Sequence, residues 1–424
     1  MIQKDKWAWG WVPPLYFAEG LPNVIIASVS VIMYKKLGIN NTDITLYTGL
    51  LYLPWVLKPI WSPVVDLKST KRNWFLIMQL VISFMFLAVG LTLPTQLFFV
   101  TTLACFWVAA FASATNDIAS DGYYMIGLSQ KKQSFFVGIR STFYRLAMVT
   151  GSGLIVVFAG YLEELYGDNT KAWSLTMVAT GCLMLILTAI NFFVTPKFEK
   201  SSTFEAEKPK AFLEVFTTFF KKPNIAVALA FILTSRLGES QLAKVAQLFM
   251  LDERSVGGLA ISTENVGVIY GVVGLITLSA GGILGGILIS RDGLKKWMLP
   301  MMLSLNVPNV LYAIMAMTQT KSLAFVVGTV AFEQFGYGFG FAAFLMYLIY
   351  IAEGASKTSH YAIATGFMAL GAMLPGMISG AVQKWLGYDG FFIWVVLSAL
   401  PAFFLLKYLK YPPDFGKKSA TNEV

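Results

Sequence analysis

Stretches of about twenty mostly apolar residues recur through this chain almost end to end, separated only by short polar breaks. A segment of that length crosses a hydrocarbon core of about 30 Å, and backbone groups there must be satisfied within the segment, so each run is read as a membrane-spanning helix. The balance of residues agrees: 56% are hydrophobic and only 13% charged, about half the charged share of a soluble domain. The expected spans are 9–34, 42–65, 74–94, 97–127, 133–161 and 171–195, then 223–250, 263–289, 297–317, 321–352, 359–383 and 389–410. The fold class expected is therefore all-α, with twelve transmembrane helices in two six-helix bundles, 1–195 and 223–424. Between them, 196–222 is a charged linker in which Phe212, Leu213, Val215, Phe216, Phe219 and Phe220 predict an interfacial helix.

With the N-terminus inside, 21 of the 32 Lys and Arg fall in cytoplasmic loops and tails and 6 on the other side. That asymmetry predicts both termini in the cytoplasm. It also accounts for the net charge of +9 as a topology signal, so no nucleic acid is expected as a partner. Lys4 and Lys6 precede a long apolar run that carries Glu19, which is read as a retained first helix and not a cleaved signal. Cys105 and Cys182 lie inside apolar runs, which argues against a disulfide framework. No metal-ligand cluster, phosphate-binding loop or nucleophile triad is visible, so neither a cofactor nor an enzyme activity is expected; an intramembrane transferase would need such a constellation near the bilayer surface. A membrane sensor that transports nothing is disfavoured because the buried charges are spread over both halves.

Ionisable residues at membrane depth cost several kcal/mol and mark pathways or pairs, which makes them the site candidates. On the fourth span Asp117 and Asp121 share a face, beside Asn116. Folding the chain at the hairpin near residue 131 sets Asp121 level with Arg140, and Asp117 level with Arg145 beside Tyr144, at 1.5 Å per residue. Two ion pairs are therefore expected, with Lys58 of the second span as a third cation at the depth of Asp121; Arg140 and Arg145 are about 140° apart round the helix, so Arg145 rather than Arg140 is expected to face the cavity. Glu19 lies about ten residues into the first helix, near mid-membrane, next to Gly20 and Pro22. Desolvation there opposes a permanent charge, so Glu19 is the expected proton carrier, with the helix-four aspartates as alternatives. In the second half, Arg236 and Glu239 are spaced to pair at i, i+3, with Lys244 further along the same helix and Glu333 on the tenth span.

The junctions "VVDLKSTKRNW" and "LISRDGLKKWM" echo each other between the halves, as a parallel repeat would. The second, "GILISRDGLK", resembles the cytoplasmic signature of the major facilitator superfamily at Gly286, Arg291, Gly293 and Lys295, with Ser290 where the signature has Asp. The resemblance implies a conformational latch there, with Asp66 and Arg72 as its counterparts in the first half. A narrower resemblance covers most of the chain. "FAEGLP", "LPWVLKPIWSPVVD", "ATNDIASDGY", "YRL", "RLGES" and "FEQFGYGFG" look like the AmpG-type muropeptide permeases and the acetyl-CoA transporters grouped with them. That resemblance implies a monomeric, proton-coupled importer in the bacterial inner membrane, surrounded by lipid. Its cargo would be an anhydromuramyl amino-sugar or muropeptide; other oligosaccharides or a CoA ester are the alternatives.

Overall fold

A computed structural model describes residues 8–67, 69–128, 130–197, 216–353 and 357–417, and every regular element among them is helical. By length and composition, 10 stretches could cross a membrane. Two local features raise the crossings among the described residues to twelve. Ile363–Leu406 has 44 residues, far more than the ~20 one crossing needs, and Gly387 at φ 68° turns the chain within it. A left-handed backbone there suits glycine alone. The second expected span is absent from the 10 because it is broken into Asn41–Leu50 and Leu53–Leu67. Pro54 has no N–H to give the Leu50 carbonyl, and Trp55 N–H bonds Tyr52 instead at 3.1 Å.

In chain order the crossings are α1 (Ala8–Lys36), α2 (41–67, in its two pieces), α3 (Lys71–Thr92), α4 (Phe98–Gly127), α5 (130–166) and α6 (Asn169–Val194). They continue as α7 (Ile225–Leu251), α8 (Thr263–Asp292), α9 (Leu294–Thr318), α10 (Leu323–Ala352), α11 (357–386) and α12 (388–406). Helix α7, expected as one piece, stops at Thr234 and restarts at Leu237, with Arg236 at φ −111°, ψ 13° in the break. Three crossings contain a wider π turn: Ile25–Val29 in α1, Thr150–Ile155 in α5 and Ile269–Gly274 in α8. Side chains close several helix starts: Asp168 accepts from Thr170 and Lys171 N–H ahead of α6, and Ser262 and Ser322 do the same for α8 and α10.

The chain divides into two compact units. The first comprises Met1–Asn40, Tyr47–Ala206 and Ser262–Gly271, the second Asn41–Leu46, Glu207–Ile261 and Val272–Val424. The first has a core in which Trp11 and Phe75 pack edge to face on Tyr123, and Tyr16 on Tyr124. In the second, Phe231, Phe344 and Tyr347 pack with Met301 and Met302. Close packing of α8 on α10 depends on absent side chains: a Cβ at Gly281 would meet the Phe335 carbonyl at 2.1 Å, and one at Gly338 the Leu278 carbonyl at 2.0 Å. Phe193 is 82% and Leu91 71% exposed; apolar groups so placed along spanning helices face lipid. Of the expected interfacial helix, Phe216 to Phe220 is helical with Phe219 fully buried, while Phe212, Leu213 and Val215 lie outside the described residues.

Candidate functional site

In the first unit the intramembrane charges gather where α1, α2, α4 and α5 meet. Gly20 makes the approach of α1 to α5 possible, since a Cβ there would stand 2.8 Å from the Tyr144 carbonyl and 3.1 Å from the Ala147 methyl. The adjoining Glu19 is only 6% exposed, and its Oε2 has no hydrogen-bond donor among the described residues. Arg140 of α5 reaches Asp121 of α4 at 3.0 Å, as the hairpin depths predict. Tyr16 donates to the same carboxylate oxygen at 3.0 Å. The guanidinium lies over the rings of Tyr16 and Tyr124, at 4.5 and 5.2 Å from their centroids, an arrangement worth about 0.5–1 kcal/mol where solvent reaches it.

Asp117 departs from the expected pairing. It takes Lys58 of α2 at 3.5 Å and the Trp55 indole N–H at 3.1 Å. Arg145 has no ion pair among the described residues. The cation that reaches Asp117 comes from α2, whose helix is broken at residues 51–52 ahead of Lys58, and not from the neighbouring α5. Asn116 points elsewhere. Its Oδ1 accepts from Gln79 of α3 at 3.2 Å, and Gln79 in turn accepts from Asn191 of α6 at 3.0 Å. Tyr144 places its ring edge 3.2 Å from where a Cβ on Gly20 would be.

The second unit has its own charged cluster at the break in α7. Arg236 pairs with Glu239 at 2.9 Å, donates to Tyr337 OH at 2.9 Å and lies over the Phe341 ring at 5.2 Å. Glu333, 4% exposed, accepts from Gln334 at 2.9 Å and from Tyr312 at 3.5 Å. A helix interrupted near mid-membrane, with a guanidinium in the gap, can present donors to an anionic group of a cargo.

Of the expected latch residues, the side chain of Asp66 lies outside the described residues. Arg72 is used locally: its Nε donates to the Thr195 carbonyl at 2.9 Å and its Nη2 to the Phe192 carbonyl, satisfying the C-terminal end of α6. Arg291 pairs with its neighbour Asp292 at 2.9 Å, and Asp292 also accepts from Lys296 and the Trp297 indole. Asp292 is thus the acidic centre of this junction, a role that the signature gives to position 290. Space is open where a Cβ on Gly286 would stand, and the close-approach role expected of it is filled by Gly281 and Gly285. Gly293 adopts φ 88°, turning α8 into α9, and Lys295 is exposed at the start of α9.

Two polar knots at helix ends were not expected. Glu163 of α5 accepts from Trp173 Nε1 and from Thr263 Oγ1, each at 2.7 Å, and pairs with Lys36 at 3.3 Å. A glycine seam between α5 and the start of α8 continues from it: a Cβ on Gly160 would meet Glu264 N at 2.6 Å, and Gly267 and Gly271 lie against Val157 and Gly153. In the second unit Asn41 donates to Asp252 at 3.0 Å and to Gln383 at 3.2 Å, and Tyr388 OH also donates to Asp252. These residues stand at helix ends, where polar side chains ordinarily read as solvated loop positions.

Long lipid-facing helices that bury acids and bases within each unit are the architecture of a polytopic membrane transporter. The model of the Major Facilitator Superfamily matches residues 14–378, and the chain belongs to that superfamily. Among solved structures it is similar to a point-mutant form of the nucleoside transporter NupG, with TM-score 0.72 at 14% identity, covering 94% of this chain and 99% of that one. It is equally similar to the D-xylose-proton symporter, with TM-score 0.72 at 12% identity, covering 96% and 98%. Curated relatives bear out the narrower resemblance. The putative transporter AmpG 4 of Rickettsia conorii is 26% identical over 93% of this chain and 94% of its own length. The anhydromuropeptide permease of Escherichia coli K12 is 26% identical over 92% of this chain and 77% of its own length.

Proposed function

We propose that this protein is a proton-coupled symporter that imports an anhydromuropeptide or related amino-sugar, working as a monomer in a bacterial inner membrane with both termini in the cytoplasm. The observation that carries the coupling is the first-unit cluster. Glu19, Asp117 and Asp121 meet two cations, and each aspartate has its own cation and hydrogen-bond donor, whereas Glu19 Oε2 has neither. Burying a carboxylate without donors penalises a permanent charge, which is what a group that must load and release a proton requires. Asp121 with Arg140, and Asp117 with Lys58, hold the surrounding field while Glu19 changes state. The cargo assignment is supported by the E. coli relative's name and by Arg236, whose planar fork suits the carboxylate of a muramyl lactyl group or peptide. Binding of that carboxylate would compete with Glu239 for the guanidinium and so couple cargo to the break in α7.

The test is uptake into right-side-out vesicles with an imposed pH gradient. Glu19→Gln is expected to abolish gradient-driven accumulation while exchange of internal for external substrate persists. A Glu19→Gln protein that still concentrates substrate and still acidifies the lumen would overturn the assignment of Glu19, and Asp117→Asn and Asp121→Asn then decide between the remaining carboxylates. A panel of anhydromuropeptides, other oligosaccharides and CoA esters in the same vesicles tests the cargo; accumulation confined to the latter two would refute it.

A further inference from the structure

The two units carry grooves at corresponding places in the six-helix repeat. One, of about 530 Å³, lies between the start of α3 and the end of α6; the other, of about 630 Å³, lies between the start of α9 and the end of α12. Their walls are alike in being apolar: Leu76, Ile77 and Phe193 in the first, Met298, Leu299, Phe403 and Leu406 in the second. They differ in charge. Among the described residues the basic side chain on the first is Arg72, already bound to the α6 carbonyls. The second is rimmed by Lys295, Lys407 and Lys410, none of which has an ion pair among the described residues, although the adjacent Lys296 is paired with Asp292 at 3.3 Å.

We propose that the α9–α12 groove is a binding site for an anionic phospholipid. The layout follows the amphiphile. Lys295 stands in the first turn of α9, and Lys407 and Lys410 lie just past Leu406, where α12 ends, so three ammonium groups sit at the level where a helix leaves the hydrocarbon. Met298 and Leu299 lie three and four residues further into α9, about 5–6 Å deeper at 1.5 Å per residue, with Phe403 in the facing turn of α12. Leu299 is 53% exposed, which leaves apolar surface for acyl chains below the charges. Three unpaired lysines above an apolar trough favour a phosphodiester on a lipid over a zwitterionic headgroup, and a basic pocket between membrane helices is the recurrent form of such sites. Lys407 also lies over the Phe404 and Tyr408 rings at 4.2 and 4.9 Å, which restrains its ammonium near the groove.

The test uses the full-length protein in nanodiscs, titrated with fluorescent phosphatidylglycerol and phosphatidylcholine of identical acyl chains. The wild type is expected to prefer phosphatidylglycerol by about tenfold or more, since each basic group near the surface adds a separate attraction. Lys295→Gln/Lys407→Gln/Lys410→Gln should reduce that preference to less than about twofold, and the triple Lys→Arg variant should keep it. A control triple, Lys171→Gln/Lys321→Gln/Lys384→Gln, removes the same total charge elsewhere and should behave as wild type. Soluble glycerophosphate in excess should not displace the lipid; displacement would make the site one for free phosphate and overturn the proposal. Equal preference in wild type and groove variant, or equal loss in the control, would overturn it also. If the Gln triple does not fold, Lys410→Gln alone, beyond the last helix, should cost several-fold in preference, and no change would count against the site.

Discussion

The glycine seam between α5 and α8 offers a direct perturbation of conformational balance. A Cβ on Gly160 would lie 2.6 Å from Glu264 N and 3.0 Å from its Cα, where ordinary contact begins at 3.4 Å. Backbone atoms cannot swing aside as a flexible side chain would, so Gly160→Ala must part the two helices by about 0.8 Å, the shortfall from 2.6 to 3.4 Å. Overpacking of that kind costs roughly 1–3 kcal/mol, and the Thr263 hydrogen bond to the Glu163 carboxylate, one turn away, is loosened with it. A carrier that alternates between forms with this seam shut and open would then shift about 5–150-fold toward the open one. The shift can be read in a background with Cys105 and Cys182 replaced by Ser, by placing a single thiol through Val266→Cys, a position 1% exposed next to Gly267 of the seam. Labelling by a membrane-impermeant maleimide should accelerate at least about fivefold when Gly160→Ala is added. Gly328→Ala, where a Cβ meets nothing within 4 Å, should leave the rate unchanged. Equal labelling with and without Gly160→Ala would refute the argument, because the clash would then have been absorbed without opening the seam.

Three further outcomes are expected. Asp121→Asn should destabilise the protein by about 1–2 kcal/mol in thermal unfolding, discounted from the buried-pair range because both partners are partly exposed; exchanging the two charges between positions 121 and 140 should cost less. Lys58→Met should impair transport more than Arg145→Met, since Lys58 and not Arg145 neutralises Asp117; the reverse order of uptake rates would contradict the assigned pair. Reporter fusions after each crossing should place both termini on the same, cytoplasmic side, and an odd number of crossings would sink the topology.

The fold was legible because the period of apolar runs and the spacing of basic loops are set by the bilayer and not by details of packing. The Asp121–Arg140 pair was legible for a similar reason: two neighbouring antiparallel helices rise by the same distance per residue, so depth can be counted from their shared hairpin. The same count failed for Asp117 because its partner comes from α2, whose break at residues 51–52 could not be placed from the apolar run alone. Tyr124 and Asp292 were missed although both adjoin residues that were singled out; which face of a helix a neighbour presents depends on packing. Glu163, Asn41 and Asp252 gave no usable signal, since polar residues at helix ends are ordinary wherever chains leave a membrane.

The π turn at Thr150–Ile155 sets the phase between two parts of α5. Before it lie Arg140 and Tyr144, and after it Gly160 and Glu163, with their contacts to α8, Lys36 and Trp173. Such a turn is in effect one residue inserted into an α-helix. Deleting a single residue between Thr150 and Ile155 would let an ordinary helix run through, keeping both the charged cluster and the Gly160 and Glu163 contacts in phase. A residue deleted from Val156–Ala159, where no wider turn can close up, would instead turn the rest of the helix by about 100° and draw it back by about 1.5 Å, carrying Gly160 away from Glu264 and Glu163 away from Thr263. In a lineage of such proteins, then, this six-residue stretch can lose its one extra residue with both ends of the helix kept in register, while a one-residue change elsewhere between Tyr144 and Gly160 uncouples one end of the helix from the other.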